Sequence, residues 1–486
     1  MPRTITIDPV TRIEGHAKIT LHLDDAGQLA DARFHVAEYR GFETFCEGHL
    51  FTEMAGITSR ICGICPVSHL LAAARTGDKL LAVQVPAAAR QLRRLLNLAQ
   101  ICQSHALSFF HLSSPDFLLG WESDPVRRNL FGLMAADPAL ARAGIRLRQF
   151  GQQVIELLGG RKIHAAWVVP GGVRSPLSAG ARDWILARLP EAKATAAMAL
   201  ERFKRLLDGP LQREQRTFGD FASLFMALVG PAGQWECLEG AIRFVDANGQ
   251  IVADGLSEDD YASFLGEAVE PWSFLKFPYY KPLGYPEGLY RVGPLARLNV
   301  CEQIASPWAN RELAEFRQRS ATTGSGGRIV TASFAYHHAR LVEIVACLEG
   351  IEQLVSDASL MGGRIQSHAG LNDNEAVGVC EAPRGTLFHH YRVDDNGLIT
   401  RVNLIIATGQ NNLAMNRTVA QIAREWIPLP VPEGAEIPEP LLNRVEAGIR
   451  CYDPCLSCST HAAGQMPLRI ALVDADGRVL AERLRG

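Results

Sequence analysis

The chain has 486 residues, of which 47 % are hydrophobic and 21 % charged, with a net charge of −3. A substantial buried core is expected, in two or three lobes at this length, and the near-neutral charge excludes the basic field that draws a protein to nucleic acid or anionic lipid. The longest uncharged apolar stretch, Phe221 to Trp235, contains glycine and proline and is too short to span a bilayer.

Residues 1–7 show no basic stretch leading into an apolar run, so no secretory signal is read there and a cytoplasmic location is expected. Residues 4–38 alternate apolar and polar around a turn at Asp24 to Gly27, the pattern of a strand hairpin. Helical spacing follows over 66–84, 87–112, 178–207, 333–358, 411–425 and 438–450, and Pro190 is expected to kink or split the third of these. Asn248-Gly249 and Asn396-Gly397 lie between apolar runs and mark two more hairpins. Gly324 to Gly327 reads as a flexible loop, and Pro428 to Pro440 as a connector. The expected fold class is mainly α with small peripheral β-sheets, an α+β chain built on a bundle of long helices. Its expected parts are a β-rich lobe over 1–60 that holds Glu14 and Glu43, a helical body over 61–461 and an extension over 462–486. No Gly-x-Gly-x-x-Gly follows a strand, so the chain itself is not expected to bind a dinucleotide.

Eleven scattered cysteines in a chain of this size point to reduced thiols with a few recruited for metal or redox work. Two pairs stand out. Cys62-Gly63-Ile64-Cys65 is followed by Pro66, well suited to the first position of a helix, so both sulfurs are expected near a helix N-terminus that favours thiolate. Gly63 would permit close backbone approach. Cys455-Leu456-Ser457-Cys458 comes near the other end, after Asp453-Pro454. Together the pairs could place four sulfurs on one metal. Structural zinc remains open, although its pairs usually lie about 15–20 residues apart, and so does thiol redox. Soft thiolates suit nickel, iron, copper and zinc alike. The seven other cysteines read as buried small hydrophobes, and His337-His338 as surface or core residues.

The flanking residues carry a family resemblance. Asp8 to His16, Arg40-Gly41-Phe42-Glu43, Arg60 to His69, His105 to Asp116, Glu381 to Gly385 and Asp453 to His461 form an ordered set. It closely resembles the large subunit of nickel–iron hydrogenases, over nearly the whole chain, and is most similar to the soluble, bidirectional, NAD-linked branch. Thr408 to Leu413 departs from that pattern.

The resemblance implies a nickel–iron centre with carbon monoxide and cyanide on iron. Cys62 and Cys455 would bind nickel alone, and Cys65 and Cys458 would bridge the two metals. It also implies Cys455 as proton acceptor and Glu14 as the next proton carrier. Arg384 would stand over the metals with Pro383 and Thr408 beside it, oriented by Asp116 and Asp453. His69 would donate a hydrogen bond to a cysteine sulfur. Glu43 and His461 would hold a magnesium or second iron ion. Without the resemblance, these residues read as a surface charge, a turn arginine, helix caps and a helix histidine.

The family's mature chain ends at the histidine matched by His461, so 462–486 is expected to be a precursor extension removed by a maturation protease after nickel-insertion factors have acted. A permanent hairpin is the alternative. The implied reaction is reversible oxidation of dihydrogen to protons and electrons. Electrons would leave through an iron–sulfur small subunit, then through a flavin- and NAD-binding diaphorase module, with clusters, FMN and NAD held only by those partners. A hydrogen-sensing subunit with the same site is the alternative reading.

Overall fold

The structure, a computed structural model, describes residues 3–321, 327–461, 468–474 and 478–485. The alternating N-terminal segment forms an antiparallel sheet of β1 (Arg3–Ile7), β2 (Ala17–Leu23) and β3 (Leu29–Val36) in that order. Ile19, Leu21, Phe34 and Val36 turn to the core and are fully buried. The Asp24 carboxylate accepts from the N–H groups of Ala26 and Gln28, which closes the expected turn.

The helical body consists of α1 (Pro66–Leu80), α2 (Ala87–Leu107), α3 (Pro138–Gly159), α4 (Ala179–Leu207), α5 (Pro294–Val300), α6 (Pro307–Ser320), α7 (Ala335–Ser356), α8 (Asn412–Trp426) and α9 (Glu439–Tyr452), with shorter turns between. All six expected helical segments are present. The side chains of Asp137 and Ser178 accept from Leu140 N–H and Ala181 N–H and cap α3 and α4. Helices α3, α5 and α6 lie outside the expected six, α5 being only seven residues long. Gly144 and Gly151 interrupt the apolar stripe of α3, and α6 buries only a narrow stripe of Ala309, Leu313 and Phe316. Helix α4 runs through Pro190 without a break, contrary to a split there. The segment expected as 87–112 leaves α-geometry at Ser108–Ser113, which is a π-helical turn. Such turns insert a residue and re-aim the chain beyond them, here the short helix Ser114–Leu118 that carries Asp116.

Helix α7 is buried on nearly all sides and packs against α2, α4, α5 and α6. A helix in that position is the centre of a core. His337 and His338 lie on it and are buried, in keeping with core histidines.

Besides two-stranded pairs, two further sheets among the described residues frame the body. β4 (Leu224–Val229), β5 (Ala241–Val245), β6 (Ile251–Leu256) and β7 (Tyr290–Arg291) lie in the order β7-β4-β5-β6, with Asn248-Gly249 in the β5–β6 turn. β8 (Glu375–Ala382), β9 (Gly385–Val393) and β10 (Ile399–Ile405) form an antiparallel meander, with Asn396-Gly397 between the last two. Ala382 pairs with Gly385, so Pro383 and Arg384 are the two-residue tip of a hairpin. Helix α1 packs on β8 and β9, which brings that tip to the Cys62–Cys65 end of the helix.

One buried apolar cluster takes in the N-terminal sheet, each helix named above and the C-terminal cysteines. Residues 427–438 form the expected connector. In the extension, β11 (Leu468–Val473) pairs antiparallel with β12 (Val479–Arg485), while residues 475–477 between them lie outside the described residues, as do 324–326 of the glycine-rich loop. No helix among the described residues is long and apolar enough to cross a membrane.

Candidate metal centre

Cys65 is the residue before α1, whose first position is Pro66, so the first pair stands at a helix N-terminus as expected. The second pair follows α9, with Leu456–Cys458 forming one 3₁₀ turn. The pairs meet. Cys62 Sγ lies 3.2 Å from Cys455 Sγ, Cys65 Sγ lies 3.4 Å from Cys458 Sγ, and Cys455 and Cys458 are 2.9 Å apart. All four sulfurs lie within 4.8 Å of one another and all are buried.

The chemistry of this donor set fits soft metal cations. Hydrogen bonds from Cys455, Cys458 and Cys65 lower the Cys62 thiol well below its ordinary value, whereas burial raises Cys455 and Cys458. One thiolate therefore forms readily and is solvated by the other thiols. Further deprotonation needs positive charge in their midst. The seven remaining cysteines are buried, as expected. A Cβ on Gly63 would meet nothing within 4 Å, so close backbone approach is not what that glycine provides.

Three segments far apart in sequence hold the second pair in place. Glu14 forms a parallel bridge with Cys455, and Leu456 N–H donates to Glu14 O at 3.2 Å. Gly15 has φ +87°, and a Cβ there would stand 2.7 Å from Leu456 Cβ. The Glu14 carboxylate accepts from Ser457 N–H at 3.0 Å and from the Ser457 hydroxyl. Cys455 N–H donates to Thr408 Oγ1 at 3.0 Å. Arg40 N–H donates to Thr460 O at 2.9 Å while its guanidinium reaches Ile61 O at 2.5 Å, which ties the two cysteine loops together.

Arg384 is buried. Its Nε donates to Asp453 O, its Nη2 lies 3.1 Å from Asp453 Oδ1, and its Nη1 has no partner. It lines a small cavity with Pro383, Thr408, His69, Cys65, Cys455 and Cys458. A fixed cation with an uncommitted donor beside four sulfurs is suited to stabilising negative charge there.

Asp453 thus orients Arg384, but Asp116 does not. The Asp116 carboxylate is taken by Arg12, Arg450 and Asn443. The π-turn delivers Asp116 toward α9, where two guanidinium groups claim it. Burial would raise its carboxyl, but Arg450 and Arg12 outweigh burial and hold it below the usual range. Its effect is to anchor Arg12, two residues before Glu14.

His69 lines the cavity, its Nδ1 pairs with His389 Nε2 at 3.1 Å, and His389 Nδ1 pairs with the Tyr391 hydroxyl at 2.6 Å. Burial pushes His69 down to about 4, so its ring is neutral at pH 7. Glu43 accepts from Leu404 N–H at 2.8 Å, and burial raises its carboxyl. His461 packs edge-on against Phe42, and both its ring nitrogens lack a hydrogen-bond partner among the described residues, an arrangement open to a metal ion. Ser457, His389 and Tyr391 went unread in the sequence. Ser457 sits in plain view inside the Cys-x-x-Cys, whereas the strand positions of His389 and Tyr391 carry no motif.

Comparison with known proteins accords with this geometry. Residues 40–121 and 242–461 match the nickel-dependent hydrogenase family, and residues 4–39 match a HoxL-like segment. The chain is 41 % identical to the NAD-reducing hydrogenase HoxS subunit beta of Cupriavidus necator, over 100 % of both chains. It is 38 % identical to a chain of the F420-non-reducing hydrogenase of Methanothermobacter thermautotrophicus, over 97 % of this chain and 98 % of that one. A crystal structure of an NAD⁺-reducing [NiFe]-hydrogenase in the H₂-reduced state superposes with a TM-score of 0.89 at 44 % identity, covering 94 % of this chain and 99 % of that one. With four converging sulfurs at its centre and both cysteine pairs inside the matched range, the chain belongs to the nickel-dependent hydrogenase family.

Proposed function

We propose that this chain is the catalytic subunit of a hydrogenase that interconverts dihydrogen with two protons and two electrons. The observation that carries the reading is the convergence of Cys62, Cys65, Cys455 and Cys458 within 4.8 Å beside a buried arginine that has a free donor. In this reading Cys62 and Cys455 would hold nickel, and Cys65 and Cys458 would serve as ligands to both nickel and an iron that carries carbon monoxide and cyanide. When bound, such a pair supplies the electron-accepting site at which dihydrogen is split.

The chain's own residues handle the proton and the surroundings. The Cys455 sulfur takes a proton, and Glu14, bridged to Cys455 through the backbone, receives it next. Ser457 holds the Glu14 carboxylate in place. Arg384 directs its unpartnered Nη1 at negative charge on the centre, with Pro383 and Thr408 closing the cavity around it. His461 and Glu43 hold a magnesium or second iron ion, consistent with the two unpartnered ring nitrogens of His461.

Electrons pass to an iron–sulfur small subunit, then through a flavin module to NAD. The match over the full length of an NAD-reducing relative supports that destination. The extension is removed after His461, once nickel-insertion factors have acted. The family match ends at residue 461, which supports this boundary.

The test is metal analysis and hydrogen-dependent NAD reduction on the complex purified anaerobically. About one nickel per chain, lost together with activity in Cys455→Ser, is expected. Zinc without nickel in the native complex would refute the reading.

A further inference from the structure

Arg384 owes its position to something behind it. It follows Ala382 and Pro383 at the hairpin tip, and that backbone is gripped from the far side by Arg297 on α5. Arg297 is 1 % exposed and uses all of its donors. Nη1 reaches Ala382 O at 2.9 Å and Glu381 Oε2 at 2.8 Å. Nη2 reaches Pro383 O at 3.2 Å and Glu343 Oε2 at 2.6 Å, and Nε reaches Glu343 Oε1 at 2.6 Å. Glu343, on α7, is itself held by His105 Nε2 at 2.7 Å and Trp235 Nε1 at 2.8 Å.

Helix α5 also touches the other side of Arg384. Gly293, just before α5, has φ +93°, and a Cβ there would stand 2.6 Å from Arg384 O. Asn97 Nδ2 donates to Glu381 O at 3.1 Å. The carbonyls of Glu381, Ala382 and Pro383 therefore each accept from a fixed side chain, and Gly293 lets the chain pass close to Arg384 O.

Burying a guanidinium and two carboxylates is costly, and apolar side chains of like volume would serve stability at least as well. What an apolar cluster lacks is direction. A planar fork bonded to two successive carbonyls and a bidentate carboxylate sets position.

We propose that Arg297, clamped by Glu343, is a positioning residue that sets where the Arg384 guanidinium stands against the four sulfurs. The inference rests on the function proposed above, because Arg384 matters only if the centre is loaded. Arg297 touches neither the cavity nor the sulfurs and acts through the Ala382–Pro383 backbone.

A double-mutant cycle on the full nickel-loaded complex tests it, with Arg297→Lys, Arg384→Lys and the pair. Displacement by about 1 Å costs up to about 100-fold in rate, so Arg297→Lys is expected to lower hydrogen-dependent kcat/KM by about 10- to 100-fold with nickel content unchanged. The pair should be no worse than Arg384→Lys alone, because a support has nothing to add once its cargo is gone. The infrared stretching bands of the iron's diatomic ligands should shift in each single variant, and those of the pair should coincide with those of Arg384→Lys.

Glu343→Gln, which keeps shape but sets an amide donor against the Arg297 fork in place of one acceptor oxygen, repeats the cycle if Arg297→Lys does not accumulate folded. Multiplicative losses, or unshifted bands in an active and fully loaded single variant, would overturn the inference. A wild-type complex without nickel would instead sink the proposed function.

Discussion

Replacing Gly15 by alanine probes how the N-terminus holds the second cysteine pair. The new Cβ meets two penalties. The backbone sits at φ +87°, where an L side chain costs about 1–2 kcal/mol. The Cβ would also stand 2.7 Å from Leu456 Cβ, and relieving such overpacking costs about 1–3 kcal/mol. Together these make about 2–5 kcal/mol against the Glu14–Cys455 bridge. If the penalty falls on local opening of 455–458, the open population rises roughly 30- to 4,000-fold. Alkylation of the metal-free chain, followed by mass spectrometry, reads that population at Cys455 and Cys458, with Cys347 inside α7 as the internal control. Faster labelling confined to the second pair is expected. Unchanged labelling at Cys455, or equal acceleration at Cys347, would show that Gly15 does not locally clamp this site.

Asp116→Asn should destabilise the fold by about 3–5 kcal/mol in urea titrations, because Arg12 and Arg450 lose the buried carboxylate between them and keep only Glu446 as a counter-charge among the described residues. The sign with pH follows from its depressed folded-state carboxyl. The contribution is complete above the unfolded value of about 3.9 and is lost as pH falls through the lower folded value, so the variant's acid limb should be flatter than the wild type's. Metal loading should release protons, because Cys455 and Cys458 are raised by burial and must lose theirs to bind. The calorimetric heat of nickel binding should then vary with the ionisation enthalpy of the buffer, and a buffer-independent heat would contradict it. Tyr391→Phe leaves His389 Nδ1 unpaired in the core and should cost about 1–3 kcal/mol in thermal or urea unfolding, with nickel content unchanged.

What the sequence revealed divides along a physical line. The cysteine pairs, the helix start at Pro66 and the Asn-Gly hairpins were legible because each is a local signal, fixed by spacing or by backbone preference. Helices α3 and α6 were not, because glycine and charge dilute their periodicity. The resemblance named residues that the fold brings beside the cysteines, and two partnerships lay outside its reach. Asp116 finds Arg450, 334 residues away, and His69 Nδ1 finds His389, 320 residues away. Such pairings depend on where whole elements dock. The π-turn at Ser108–Ser113 decides the first, and the packing of α1 on β9 decides the second. Arg297 carried no signal at all. It stands in a short helix, and only the fold shows that its donors tie one hairpin to Glu343 on α7.

The span of 393 residues between the two cysteine pairs sets a clock. A ribosome adding about 5–20 residues per second needs roughly 20–80 s to travel from Cys62 to Cys455. Closing a loop of that length then costs about 5 kcal/mol in chain entropy, which the surrounding core must supply before the sulfurs meet. Throughout that interval the first pair exists as a lone Cys-x-x-Cys, the arrangement that captures zinc or oxidises to a disulfide. Keeping it reduced and empty until the C-terminus arrives is a task for the translating cell, because the half-made fold has nothing with which to guard it.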